Sequence, residues 1–170
     1  MKKYFILCLF IFLNKPVFSQ ENIYVGDFIF FWETFRDNYV YFDSKQTDWN
    51  KVKDIYLPEA QNINNKAEFI SLLEKVIGEL YDNHTHLLTN LSSSYRLSPS
   101  GLDIWPELEN NKYIIKEVRT GSGAEICGIR PGMQITHING QGIDEAVLQI
   151  TGKAIINPGK EVKEWAIRTL

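Results

Sequence analysis

The chain is poor in cysteine, has no dense basic cluster, and contains no apolar run long enough to span a bilayer. Its two cysteines are Cys8 and Cys127. Cys8 lies in an N-terminal stretch read below as a removable leader, which leaves Cys127 alone and excludes an intramolecular disulfide. Stability then has to come from apolar burial. The 18 Lys and Arg residues are scattered among 21 Asp and Glu, for a net charge of −3. Such a mildly acidic chain carries no electrostatic footprint for nucleic acid or an anionic lipid surface. The longest apolar run, Tyr4 to Leu13, falls well short of the roughly 20 residues a spanning helix needs. No internal repeat or low-complexity stretch is present, so solenoid and collagen-like architectures are excluded.

That apolar run has a different use. Lys2 and Lys3 precede it, Pro16 breaks it, and Ser19 stands before Gln20 at a plausible cleavage point. Basic, apolar and small-residue regions in that order predict a secretory signal over residues 1–19, and so an exported, periplasmic or secreted protein with no stable membrane span after cleavage. Losing Lys2, Lys3 and Lys15 with it takes the net charge from −3 to −6.

From Gln20 to Leu91 the pattern is helical. Phe28, Phe31, Trp32, Phe35 and Tyr39 recur at three- and four-residue steps and predict an amphipathic helix over 24–41. Thr47 or Asp48 can cap a second helix with Trp49, Val52, Ile55 and Tyr56 inward, ended or kinked by Pro58. Asn64 or Asn65 can cap a third, whose stripe is Phe69, Leu72, Leu73, Val76, Ile77 and Leu80. Asp82-Asn83 breaks the pattern, and the alternation from His84 to Leu91 predicts a short strand. Residues 92–100, with serines at 92, 93, 94, 98 and 100, read as a linker.

Beyond it the character changes. Leu102–Leu108 and Tyr113–Val118 read as strands joined by the polar turn Glu109 to Lys112, and Ile135–Ile138 as a third strand closed by Asn139-Gly140. Ile143–Ile150 can be helical, and Asn157-Pro158 predicts a last helix with Asn157 as cap and an inner face of Val162, Trp165, Ala166, Thr169 and Leu170. That apolar face running out at Leu170 suggests that Trp165 and Leu170 pack against polypeptide beyond this chain.

The run from Gly121 through Ala124, Cys127-Gly128-Ile129, Pro131-Gly132 and Ile135 to Asn139-Gly140 resembles the core of a PDZ domain. It departs from that pattern at Met133, where Asp is usual, and at Gly123, where Pro is common. Leu80-Tyr81-Asp82-Asn83-His84-Thr85 resembles a Leu-x-Asp-Gly-His-Thr-like motif, with Asn83 replacing Gly. Together they resemble the N-terminal part of the C-terminal-processing and tricorn-type serine peptidases. The fold class expected is α+β: a small helical bundle over 20–91, then a partial PDZ-like β-barrel with capping helices over 101–170. The catalytic domain is expected to be absent.

The resemblance implies His84 as a general base for a serine elsewhere, since imidazole titrates near neutrality. In a branch with a serine–lysine dyad, His84 would be structural. PDZ domains take an extended peptide as an added strand, and the loop for its carboxylate would be Gly101, Leu102, Asp103 and Ile104. Expected partners are a polypeptide substrate or C-terminal peptide and the missing catalytic domain; no cofactor is implied. Ser122 does not qualify as nucleophile, because Thr120 and Ala124 stand where an elbow needs glycines. His84 and His86 lack an evident third ligand for zinc. The 170 residues alone are thus expected to hydrolyse nothing, as part of a serine endopeptidase. The alternative is a non-catalytic periplasmic peptide-binding adaptor.

Overall fold

The computed structural model describes residues 22–94 and 101–170; the expected signal at 1–19 and most of the linker lie outside the described residues. Helix α1 spans Ile23–Asn38, with the Asn22 side chain accepting from the Tyr24 amide at 3.1 Å. It ends three residues before the sequence suggests, where Tyr39 turns extended and the 3-10 turn Phe42–Ser44 follows. Helix α2 spans Trp49–Ala60, and Asp48 caps it by accepting from the Asn50 and Lys51 amides. Pro58 does not end this helix: it sits inside the last turn, and α2 runs on to Ala60. Helix α3 spans Lys66–Gly78 under an Asn65 cap that accepts from Glu68 N–H at 3.0 Å.

The aromatic stripe does pack as core. Phe28, Trp32, Trp49, Val52, Tyr56, Leu72, Val76 and Leu80 are buried together. Two indoles lock α1 to α2, each donating to the other's backbone: Trp32 Nε1 to Trp49 O at 2.7 Å and Trp49 Nε1 to Trp32 O at 3.0 Å. Indole N–H groups can be buried at this depth only because each has found an acceptor.

The second half begins with strands β1 (Ile104–Glu109) and β2 (Lys112–Val118), paired antiparallel with a bulge between Trp105 and Pro106. Their two-residue turn, Asn110-Asn111, has φ of 47° and 59°, the left-handed pair that matches strand twist. Helix α4 (Gly123–Ile126) is capped by Ser122, whose Oγ accepts from the Glu125 amide at 3.2 Å. Ser122 is buried at 5 % exposure, so it is a cap and not a presented nucleophile. Gly128 and Gly132 both take φ of 89°, where a side chain would be strained.

The expected single strand at 135–138 is in fact two. β3 (Gln134–Ile135) adds to β2, while β4 (His137–Ile138) pairs with β5 (Gln141–Gly142) in a separate ribbon. The first sheet is ordered β1-β2-β3, and the two sheets do not close into a barrel. The α+β class therefore stands and the barrel does not. Helix α5 spans Ile143–Ile150 and α6 spans Lys160–Thr169. Asn157 does not cap α6; it takes φ of 57°, and Gly159 is the cap. Trp165, read as part of the inner face of α6, is partly buried on the chain's own cores, alongside Tyr113, Ile143 and Ala166 and beside Tyr81, Ile155 and Val162.

The two halves interlock. Ala154 is buried in the helical core, Ile155 bridges to Thr47, and Asp48 N–H reaches Ala154 O at 3.4 Å. Glu79, 1 % exposed, is the tie at their centre. It accepts from Tyr56 Oη at 2.6 Å, Lys153 N–H at 2.8 Å and Ala154 N–H at 2.9 Å.

Candidate functional site

The segment after α3 is organised by a network of polar contacts around Asp82. Its backbone does not form the expected strand at 84–91; residues 83–84 turn, and the chain continues as an irregular loop. The physical reason is local. The Asp82 carboxylate accepts from His84 N–H at 2.9 Å, Thr85 Oγ1 at 2.9 Å and Tyr39 Oη at 2.8 Å, a side-chain turn that competes with any extended ladder. Tyr81 just before it is buried with φ of 40°, so the chain enters the loop through a left-handed residue.

Electrostatics follow from these contacts. Burial pushes the Asp82 carboxyl up, but donation from His84, Tyr39 and Thr85 outweighs it and holds the group below the ordinary carboxylate value. Burial, then the bond to Asp82, raises the Tyr39 phenol, which keeps it a donor. His84 is exposed, and with His86 it borders an open cleft of about 380 Å³ whose other wall is Thr34, Phe35 and Tyr39. His86 also lines, with Asp82 and Asn83, a second cleft of about 210 Å³ bordered by Glu74, Ile77 and Trp165. Among the described residues no three His, Cys, Asp or Glu side chains converge as they would around a metal ion.

The histidine loop touches the second half directly: Trp165 Nε1 on α6 donates to Asn83 Oδ1 at 3.0 Å, one residue before His84. The four residues expected to hold a peptide carboxylate lead into β1, with Ile104 its first residue. Leu102, Asp103 and Ile104 line a cleft of about 230 Å³ with Trp105 and Arg119, and Gly101 stands exposed beside them. Asp103 is itself engaged: its carboxylate pairs with the Arg119 guanidinium and accepts from Ala124 N–H at 3.3 Å, while its carbonyl accepts from Arg119 N–H at 2.8 Å. His84 and residues 101–104 thus belong to two separate clefts.

Sequence reasoning missed Glu79, the positioning partner Tyr39 and the link from Trp165 to Asn83. Glu79 had a signal, since it falls on the inner stripe of α3 one turn beyond Val76, where a carboxylate needs a reason. The other two join residues 43 and 82 positions apart and left no local trace.

Residues 22–78 match the tricorn protease C1 domain. Tricorn protease homolog 2 of Streptomyces coelicolor is 24 % identical over 112 residues, covering 57 % of this chain and 9 % of that protein. No solved structure matches the chain. The chain thus resembles the tricorn-type peptidases, with the family match confined to its helical half, and it spans about a tenth of the length of the relative it matches.

Proposed function

We propose that this chain is the N-terminal, substrate-facing part of an exported serine-type endopeptidase, with a helical scaffold bearing the general base and a PDZ-like module that binds polypeptide. The observation that carries the reading is the His84 loop. Asp82 fixes it through three hydrogen bonds, it opens on a cleft, and Trp165 ties it to the PDZ-like half. An exposed imidazole on a fixed turn can approach a nucleophile carried by a separate catalytic domain, taking its proton and returning it to the leaving amine. Leu102, Asp103 and Ile104, in their cleft at the head of β1, and neighbouring Gly101 are where the C-terminus of a bound peptide would arrive. Residues 1–19 would direct export.

The test has two arms. The purified chain, incubated with an unfolded protein and a fluorogenic peptide, is expected to show no turnover; turnover abolished by Ser122→Ala would overturn the reading. In the polypeptide that includes the catalytic serine, His84→Ala is expected to lower kcat by about 100-fold or more with KM little changed. An unchanged kcat would make His84 structural and assign the base to a lysine. A peptide-binding adaptor without catalysis is the second reading, favoured by the interlocking of the two halves into one unit through Glu79 and Ala154.

A further inference from the structure

Strand β1 lies at the edge of its sheet, the side on which an extended peptide would add. Register decides which of its groups face outward. Ile115 uses its N–H on Met133 O at 2.9 Å and its carbonyl on Gly132 N–H at 2.8 Å, both away from β1. Its partner across the ladder is Pro106, and Leu108 likewise faces Tyr113. In an antiparallel pair such opposed residues both turn their polar groups away from each other, so Pro106 and Leu108 present theirs at the open edge. A proline is tolerated there because its missing N–H costs no ladder bond.

Those outward groups are already taken. Leu108 N–H donates to Glu164 Oε1 at 2.8 Å, and Arg168 Nε donates to Pro106 O at 3.2 Å. Both side chains come from the face that α6 turns to β1, four residues apart, and pair with each other at 3.7 Å. The Arg168 guanidinium also lies over the Trp105 ring at 4.0 Å. At 17 % and 14 % side-chain exposure, Arg168 and Glu164 are covered far more than charged groups on a free helix face would be. A carboxylate on the N–H and a guanidinium on the carbonyl are the same acceptor and donor that a peptide backbone would offer this edge.

We propose that α6 is a latch that occupies the peptide edge of β1 in the resting protein, so that an extended peptide enters only when Glu164 and Arg168 release Leu108 and Pro106. The proposal rests on the peptide-binding reading of this module. A site that is competent for only a fraction of the time binds more weakly by that fraction. Removing the latch should therefore tighten binding without adding any contact to the peptide.

The experiment titrates a fluorescent apolar peptide with a free C-terminal carboxylate into the full chain, wild type and Glu164→Ala/Arg168→Ala, by anisotropy. Amide hydrogen exchange of Leu108 is followed in parallel. The expected result is affinity at least about tenfold tighter in the double variant, with faster Leu108 exchange in the absence of peptide. Equal affinities in the two proteins would leave the peptide-binding reading standing and sink the latch. Failure of both proteins to bind would sink the peptide-binding reading, and the latch with it. If the alanine pair loses its helical circular-dichroism signal, Glu164→Met carries the same comparison, since it keeps the side-chain length and removes the carboxylate that both Leu108 N–H and Arg168 meet. Its expected result is again tighter binding than wild type, and unchanged affinity with unchanged Leu108 exchange would overturn the latch.

Discussion

Glu79 shows what a polar side chain needs in order to be buried to 1 % exposure. Its carboxylate meets one phenol and two backbone amides, and Gly152 passes so close that a Cβ there would stand 2.1 Å from Glu79 Oε2. Glu79→Gln turns one acceptor oxygen into a donor facing a donor, and is expected to cost about 2–3 kcal/mol in urea denaturation. Gly152→Ala should destabilise comparably by displacing the carboxylate, and the two losses should fall short of additive because they break one contact. Additive losses would mean that Gly152 matters for its backbone alone. Asp82 makes the pH-dependent counterpart. Its folded carboxyl is held below the ordinary 3.8, so its stabilisation of the loop is complete above that value and is lost as pH falls through the lower folded one. The His84 and Thr85 amide resonances, followed as pH is lowered from neutrality, should titrate with a midpoint below 3.8 in wild type and not at all in Asp82→Asn. A midpoint above 3.8 would contradict the assigned network. Of these residues, Asp82 and His84 stand in a motif the sequence displays, while Glu79 went unread although it follows the apolar stripe of α3. Gly152 was not readable, because nothing in its neighbourhood announces a carboxylate from α3.

Elements were legible to the extent that their causes are local. The three N-terminal helices announce themselves through stripes at three- and four-residue spacing and through candidate caps, of which the structure uses Asp48 rather than Thr47 and Asn65 rather than Asn64. Asn65→Ala should therefore destabilise the protein by about 1 kcal/mol, seen as a shift of the urea midpoint with unchanged slope. A change below a few tenths would show that Glu68, whose side chain reaches back to the Asn64 amide at 3.0 Å, satisfies the helix end alone. Alternation at 84–91 misled because a strand is defined by a partner, and Asp82 offers the backbone a nearer one. The start of α6 misled for the opposite reason: it is set from afar. Gly159 N–H donates to Gln46 Oε1 at 2.7 Å, and a Cβ at Gly159 would stand 2.9 Å from that same oxygen, so a residue 113 positions away fixes where the helix begins. The split of 135–138 into β3 and β4 likewise answers to two different pairing partners, β2 and β5.

At the scale of the whole chain, the scarcity of cysteine left stability to apolar burial, and the structure places a helical core beside smaller clusters around Tyr113 and Tyr81. These are not independent. Ala154 belongs to the helical core, Ile155 and Val162 pack on Tyr81, and Lys45 lies 4.2 Å over the Tyr81 ring while pairing with Glu161 at 3.4 Å. Unfolding the second half alone would strand Glu79 without its two backbone donors and uncover Tyr81, a penalty that is large against a stability of about 5–15 kcal/mol. The full chain should consequently melt in a single transition, with far-ultraviolet circular dichroism and tryptophan fluorescence superimposing. A Trp105→Phe/Trp165→Phe variant leaves only Trp32 and Trp49 as reporters of the helical half, and its fluorescence curve should still overlay the circular-dichroism curve of the same protein. An isolated 101–170 segment, deprived of Glu79, Thr47 and Tyr81, should lack a cooperative transition. Two resolved melts in the full chain, or a sharply folding 101–170 segment, would show instead that the linker joins autonomous modules and that Glu79 decorates a contact it does not hold together.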